Sequence, residues 1–191
     1  MNTEDMRILL IKSTIHTISN VGIDRATTKL LAGNANLNEV YIYRIFGGKD
    51  QLFEAAFTYI DKQFSSHLVQ YFEEGVRLNA PMKESLYNFF SKIWEFALTD
   101  KERCSYFIRY YYSRYYSQSC SANRKALYED IINMSSGLFK DGTNIWWLFN
   151  YMLDIVFSSA VKVLREEIPE NEQTKENIFL LLYAAFKPHF K

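Results

Sequence analysis

Glu39, Val40, Tyr41 and Arg44 lie within six residues, on the side of a short segment opposite the apolar Ile42. Side chains of these types on one helix face suit the major groove. An arginine donates two hydrogen bonds to a guanine edge, and a glutamate accepts from a cytosine amino group. Thr27, Tyr43 and Lys49 fall at the ends of short helices, where side chains and local N–H groups hold phosphates. Asn38, which caps the segment, completes the candidate DNA-contact set. Residues 6–49 carry six cations (Arg7, Lys12, Arg25, Lys29, Arg44, Lys49) against two anions (Asp24, Glu39), enough to engage a few phosphates.

A second constellation lies at residues 104–120, where seven of seventeen residues are aromatic. So many rings cannot share one core stripe, and tyrosine, with its apolar body and polar tip, suits a ligand cavity. The candidate ligand-binding residues are Phe107, Tyr110, Tyr111 and Arg114, with Trp94 on the preceding helix. The expected ligand is an aromatic or apolar small molecule. Arg103, Arg109 and Arg114 leave its charge open, because helix rotation decides which of them faces inward.

Other chemistry finds no support. His16, His67 and His189 have no metal-ligand spacing, and no nucleophile–base or phosphate-cradling glycine pattern occurs, so no metal, cofactor or catalytic role is expected. Cys104 and Cys120 would stand about 24 Å apart on one continuous helix, too far to bridge.

These residues need positioning elements, and composition favours helices. The 191 residues include only 7 Gly and 3 Pro, too few turn formers for a sandwich or barrel. Lys plus Arg equals Asp plus Glu at 22 each, so any charged patch is local. An acidic start (Glu4, Asp5) and a longest apolar run interrupted by Asn150 and Asp154 point to a cytoplasmic protein with no membrane span. The periodicity predicts an all-α chain of nine helices. The first ends at Gly22. Thr27 caps a second, Asn36 takes the tight turn, Asn38 caps a third, and Gly47-Gly48 precedes a long fourth from Lys49 to about Gly75. Pro81 starts a fifth. Thr99 to Glu102 fits a capping box for a sixth, running to about Gln118. A seventh ends near Gly142, an eighth spans about 143–166 and a ninth about 170–186.

The eighth and ninth helices are apolar over most of their circumference and need cover on all sides. The expected cover is the same pair from a second copy. Ile145, Phe149, Met152, Val156, Ile178, Leu181, Leu182 and Ala185 are the candidate homodimer contacts.

Three short helices with a tight turn between the second and third describe a helix-turn-helix. Thr27, Leu31-Ala32, Ala35-Asn36-Leu37-Asn38, Ile42-Tyr43, Phe46 and Gly48-Lys49-Asp50 match, at their spacing, the pattern of the TetR family of bacterial transcriptional regulators. The resemblance covers residues 7–53. Asn36 stands where the family has the turn Gly, Val40 where it often has Gly, and Ile45 where it usually has the Tyr or His that helps hold a phosphate. The resemblance implies a DNA-binding domain at residues 1–48 and a ligand-binding and dimerisation domain at 49–191. It also implies a homodimeric regulator, a repressor on a palindromic operator, released when a small molecule binds among helices 4 to 7. Ile45 and the modest charge define the other reading: an all-helical small-molecule or protein-binding module whose helix-turn-helix no longer reads DNA.

Overall fold

The computed structural model describes residues 2–77 and 81–191. Among the described residues it is all-α, with ten helices: α1 Thr3–Val21, α2 Thr28–Asn34, α3 Val40–Phe46, α4 Lys49–Arg77, α5 Met82–Thr99, α6 Lys101–Tyr111, α7 Gln118–Leu127, α8 Glu129–Ser135, α9 Ile145–Leu164 and α10 Glu172–Phe186. Short 3-10 turns occupy Ser136–Leu138 and Lys187–His189. Among the described residues there is no strand, only an isolated antiparallel bridge between Phe139 and Phe190.

Two compact units are present. The first is Met1–Gln63 with Glu102–Arg124; the second is Phe64–Lys101 with Lys125–Lys191.

In the first unit, local signals set the helix ends. An Asn2–Asp5 capping box starts α1 ahead of Arg7. Thr27 accepts from the Leu30 N–H at 3.2 Å and opens α2. Asn36 adopts φ 53° in the tight turn, and Gly47 adopts φ 87° after α3. Asn38 accepts from the Val40 N–H at 2.9 Å. Leu10, Ile18, Leu31 and Ile42 form the buried centre of this three-helix bundle. Ser13 donates to the Leu31 carbonyl at 2.6 Å, tying α1 to α2.

Helix α6 belongs to the same unit. Tyr106 donates to the Phe53 carbonyl at 2.7 Å, and His16 on α1 pairs with Glu102 at 2.7 Å. Phe57 packs on Phe107, Tyr110 and Tyr116. Burial raises the Tyr106 and Tyr110 pKa values far above the ordinary phenol value, the Cys120 hydrogen bond adding to the Tyr110 shift. Arg124 on α7 pairs with Asp61 on α4 at 3.1 Å, both side chains buried. The Arg124 guanidinium lies 5.2 Å from both the Phe107 and the Tyr111 ring centroids.

Three expectations are corrected here. The sixth helix ends at Tyr111, well short of Gln118. Ser113 donates to the Tyr110 carbonyl and accepts from the Tyr115 N–H, local bonds that compete with helix continuation. Cys104 and Cys120 are therefore on different helices, both buried. Thr99 does not cap α6; its hydroxyl bonds back to the Glu95 carbonyl. The seventh helix divides at the fully buried Tyr128 into α7 and α8, which makes ten helices of the expected nine.

In the second unit, Phe64 packs against Phe96, Tyr128 and Phe157. Leu153, Val156, Phe157 and Ala160 of α9 are buried, and α9 packs on α5 and α10. By length and composition α9 is apolar enough to cross a membrane, but one of its apolar sides, from Leu148 to Val163, fills this core. The chain end is tied back: the Lys140 N–H donates to the His189 carbonyl at 2.8 Å and the Lys191 N–H to the Leu138 carbonyl at 3.1 Å. Phe139, Leu148 and Phe190 form a buried cluster there.

Candidate nucleic-acid interface and ligand cavity

Helix α3 presents the expected face. Ile42 is fully buried, whereas Glu39, Val40, Tyr43 and Arg44 are exposed and Tyr41 is half-buried. Glu39 is held in place, because Thr28 donates to its Oε2 at 2.8 Å. That residue was missed in the sequence, although a hydroxyl at the first position of α2 is a visible signal. Thr27 and Asn38 are exposed. Lys49 is half-buried, its Nζ 5.5 Å from the Phe53 ring centroid and 5.9 Å from that of Tyr115. Ile45 is half-buried in a groove with Ile8 and Ile11 of α1 and Ala55 of α4.

The second unit contains a cavity of about 370 Å³. Its walls come from α4 (Tyr71, Phe72), α5 (Leu86, Phe89), α8 (Ile131), α9 (Phe149, Met152) and α10 (Phe179, Tyr183, Phe186). Phe139 and Phe190 close one side. Among the described residues the polar side chains that line it are Tyr71, Tyr183, Ser85 and Ser135, and none of the lining residues is charged. Its size and lining are those of a small-molecule site. Glu95 and Glu74 help burial to raise the Tyr71 pKa.

None of Trp94, Phe107, Tyr110, Tyr111 and Arg114 lines this cavity. Phe107 and Tyr110 are buried in the aromatic core of the first unit, with Tyr111 half-buried beside them. Arg114 is exposed, bonded to the Tyr115 hydroxyl at 3.1 Å. Trp94 is buried and stacks on Phe90, which does line the cavity. Arg109 bonds the Ile18 carbonyl in the first unit. The sequence signal that marks the cavity is the helical stripe Phe179, Leu182, Tyr183, Phe186.

The candidate dimer contacts divide. Phe149, Met152, Val156, Ile178 and Leu182 are buried within the chain's own core, and Ile145 is half-buried at the cavity. Helix α9 is apolar on all sides, so its periodicity does not say which side its own chain covers. Leu181, 72% exposed, and Ala185 remain open to solvent. The other large apolar residues exposed on these helices are Trp147, Tyr151 and Leu180.

The first three helices with their tight turn form a helix-turn-helix, and the third exposes one face. Residues 10–56 match the model of the bacterial regulatory proteins of the tetR family. No curated protein sequence matches the chain. Among solved structures, a TetR family transcription regulator from Marinobacter aquaeolei VT8 is similar at TM-score 0.77 and 18% identity, over 97% of this chain and 98% of that one. A TetR-family transcriptional regulator from Haemophilus influenzae RD matches at 0.68 and 19%, over 97% and 99%. The transcriptional regulator FadR from Bacillus subtilis, solved in complex with stearoyl-CoA, matches at 0.63 and 14%, over 92% and 96%. The chain thus has the N-terminal unit of the tetR family and the fold of TetR-family transcription regulators, as the sequence resemblance implied.

Proposed function

We propose that this chain is a ligand-responsive transcription regulator, a cytoplasmic homodimer that represses by binding a palindromic operator and is released by an apolar small molecule. It acts by binding and not as an enzyme. Residues 1–48 read DNA, and residues 49–191 bind the ligand and dimerise. The observation that carries this reading is the exposed set Glu39, Val40, Tyr43 and Arg44 on a short helix whose other side is fixed by Ile42. Ile45, which motivated a module unable to read DNA, lies in the α1–α4 groove, so its substitution leaves that exposed set intact.

The cavity supports an uncharged, largely apolar ligand body, since burying a charge against these walls without a partner is costly. The FadR neighbour was solved with stearoyl-CoA, and a long acyl chain fits the same chemistry: flexible, apolar, satisfied by phenylalanine and leucine walls. Tyr71 and Phe72 of α4 line the cavity, and Lys49 starts the same helix. A ligand that moves α4 thereby changes the presentation of the DNA contacts, but only as far as its affinities for the two states differ.

The test is fluorescence anisotropy with labelled duplexes from the DNA flanking the chain's own coding sequence, titrated with stearoyl-CoA and with short-chain acyl-CoA. One flanking duplex should bind with preference over random DNA, and the long acyl chain should release it. Equal affinity for all duplexes would remove the operator reading. Binding of the long acyl chain with no effect on DNA would remove the switch.

A further inference from the structure

The turn between α6 and α7 holds two residues that the cavity does not use. Arg114 donates from Nη2 to the Tyr115 hydroxyl at 3.1 Å, and its guanidinium carbon lies 5.1 Å from the Tyr115 ring centroid. The Tyr115 ring packs edge-on against the fully buried Phe53, with centroids 5.2 Å apart. Its backbone is fixed at both ends. The Tyr115 N–H donates to Ser113 Oγ at 3.2 Å, and its carbonyl accepts from the Tyr110 hydroxyl at 3.2 Å. One anchored ring therefore carries two cations, Arg114 and Lys49, from segments far apart in sequence.

Arg114 is exposed, and among the described residues its only hydrogen bond is to Tyr115. Asp24 and Asp50 lie close enough to favour its charge but form no ion pair with it among the described residues. Asp24 precedes the Thr27 cap of α2, and Asp50 sits in the first turn of α4. These are the two helix starts assigned to phosphates. Two carboxylates there repel a DNA backbone unless a cation offsets them, and Arg114 is placed to do so. A guanidinium also matches two phosphate oxygens at once.

We infer that the α6–α7 turn is part of the DNA interface, with Arg114 binding a backbone phosphate beside the one held at Lys49. This rests on the DNA-binding reading and adds a contact from outside the helix-turn-helix. It also moves Arg114 from the ligand set to the DNA set. Tyr115 is the positioning residue for both cations.

The test measures the affinity of a labelled random-sequence duplex across a range of NaCl concentrations, for wild type, Lys49→Gln, Arg114→Gln and Arg114→Lys, with melting temperatures alongside. Each lost phosphate contact should flatten the slope of log affinity against log salt by about 0.9 per bound protomer. Arg114→Gln and Lys49→Gln should each do this, and Arg114→Lys should keep the wild-type slope. A wild-type slope for Arg114→Gln beside a flattened one for Lys49→Gln overturns the inference, even if Arg114→Gln melts at a lower temperature. Failure of the wild type to bind any duplex, random or flanking, instead overturns the DNA-binding reading on which it rests.

Discussion

Arg109 on α6 donates from Nη1 to the carbonyl oxygen of Ile18 on α1, 3.1 Å away. The last turn of α1 has no basic residue of its own, so its terminal carbonyls gain a cation from a helix 91 residues further along the chain. The Ile18 carbonyl already accepts from the Gly22 N–H at 3.0 Å, so the guanidinium adds a second, charged donor that opposes the negative end of the helix.

Arg109→Met should keep most of the side chain's packing and lose this bond, destabilising the chain by about 1.5–3 kcal/mol, the range for hydrogen bonds to charged groups. Gly22→Ala should destabilise as well. Gly22 has φ +90°, and an added Cβ would meet Arg109 Nη1 at 3.2 Å. Urea unfolding checks both. Wild-type midpoints for Arg109→Met would show that the bond contributes nothing net.

The helix-turn-helix was legible because its signals are local. Thr27, Asn36 and Gly47 each specify a backbone conformation or a cap within four residues, and each does so in the structure. The end of α6 was not legible, because its apolar periodicity runs on through the tyrosines, whereas the local Ser113 and Tyr110–Tyr115 bonds stop the helix at Tyr111. The inward side of α9 was also out of reach. With apolar residues all round, Val156 and Trp147 read alike in sequence, yet Val156 is fully buried and Trp147 is 61% exposed. The cavity depends on five helices converging, and the stripe read on the last helix, Ile178, Leu181, Leu182 and Ala185, contributes only Leu182 to its wall.

That difference on α9 sets up an assembly prediction. Leu181→Arg or Trp147→Arg should dissociate the homodimer while each chain stays folded, because these side chains face solvent in the single chain. Val156→Asp should unfold the chain outright, since it places an unpaired charge in the core. Sedimentation velocity with circular dichroism separates the outcomes. A wild type that sediments as a monomer at micromolar concentration would sink the dimer and, with it, palindromic binding.

Base reading and phosphate holding should come apart at two residues of the first unit. Arg44→Ala should relax preference at one position per half-site by about 1–3 kcal/mol, the worth of one two-point contact to a base. Lys49→Ala should weaken specific and random duplexes alike. Competition binding with single-base operator variants gives both numbers. Equal losses on operator and random DNA for Arg44→Ala would mark Arg44 as a phosphate contact only.

Cavity filling tests the ligand site without touching the DNA contacts. Leu86 on α5 lines the cavity and is half-buried, so a larger ring there takes volume from the cavity itself. Leu86→Trp should therefore weaken binding of a fluorescent long-chain acyl probe at least tenfold, a change of about 1.4 kcal/mol. Overpacking costs of about 1–3 kcal/mol apply only where no space exists, so the variant should melt near the wild-type temperature. Its affinity for DNA should stay the same, and the long acyl chain should no longer release it. The contrast is Phe107→Leu, which changes the aromatic core of the first unit and no part of the cavity wall. That variant should keep wild-type affinity for the acyl probe. If Phe107→Leu lost the probe and Leu86→Trp kept it, the ligand would sit against the tyrosine-rich helix, and the cavity of the second unit would have no part in the response.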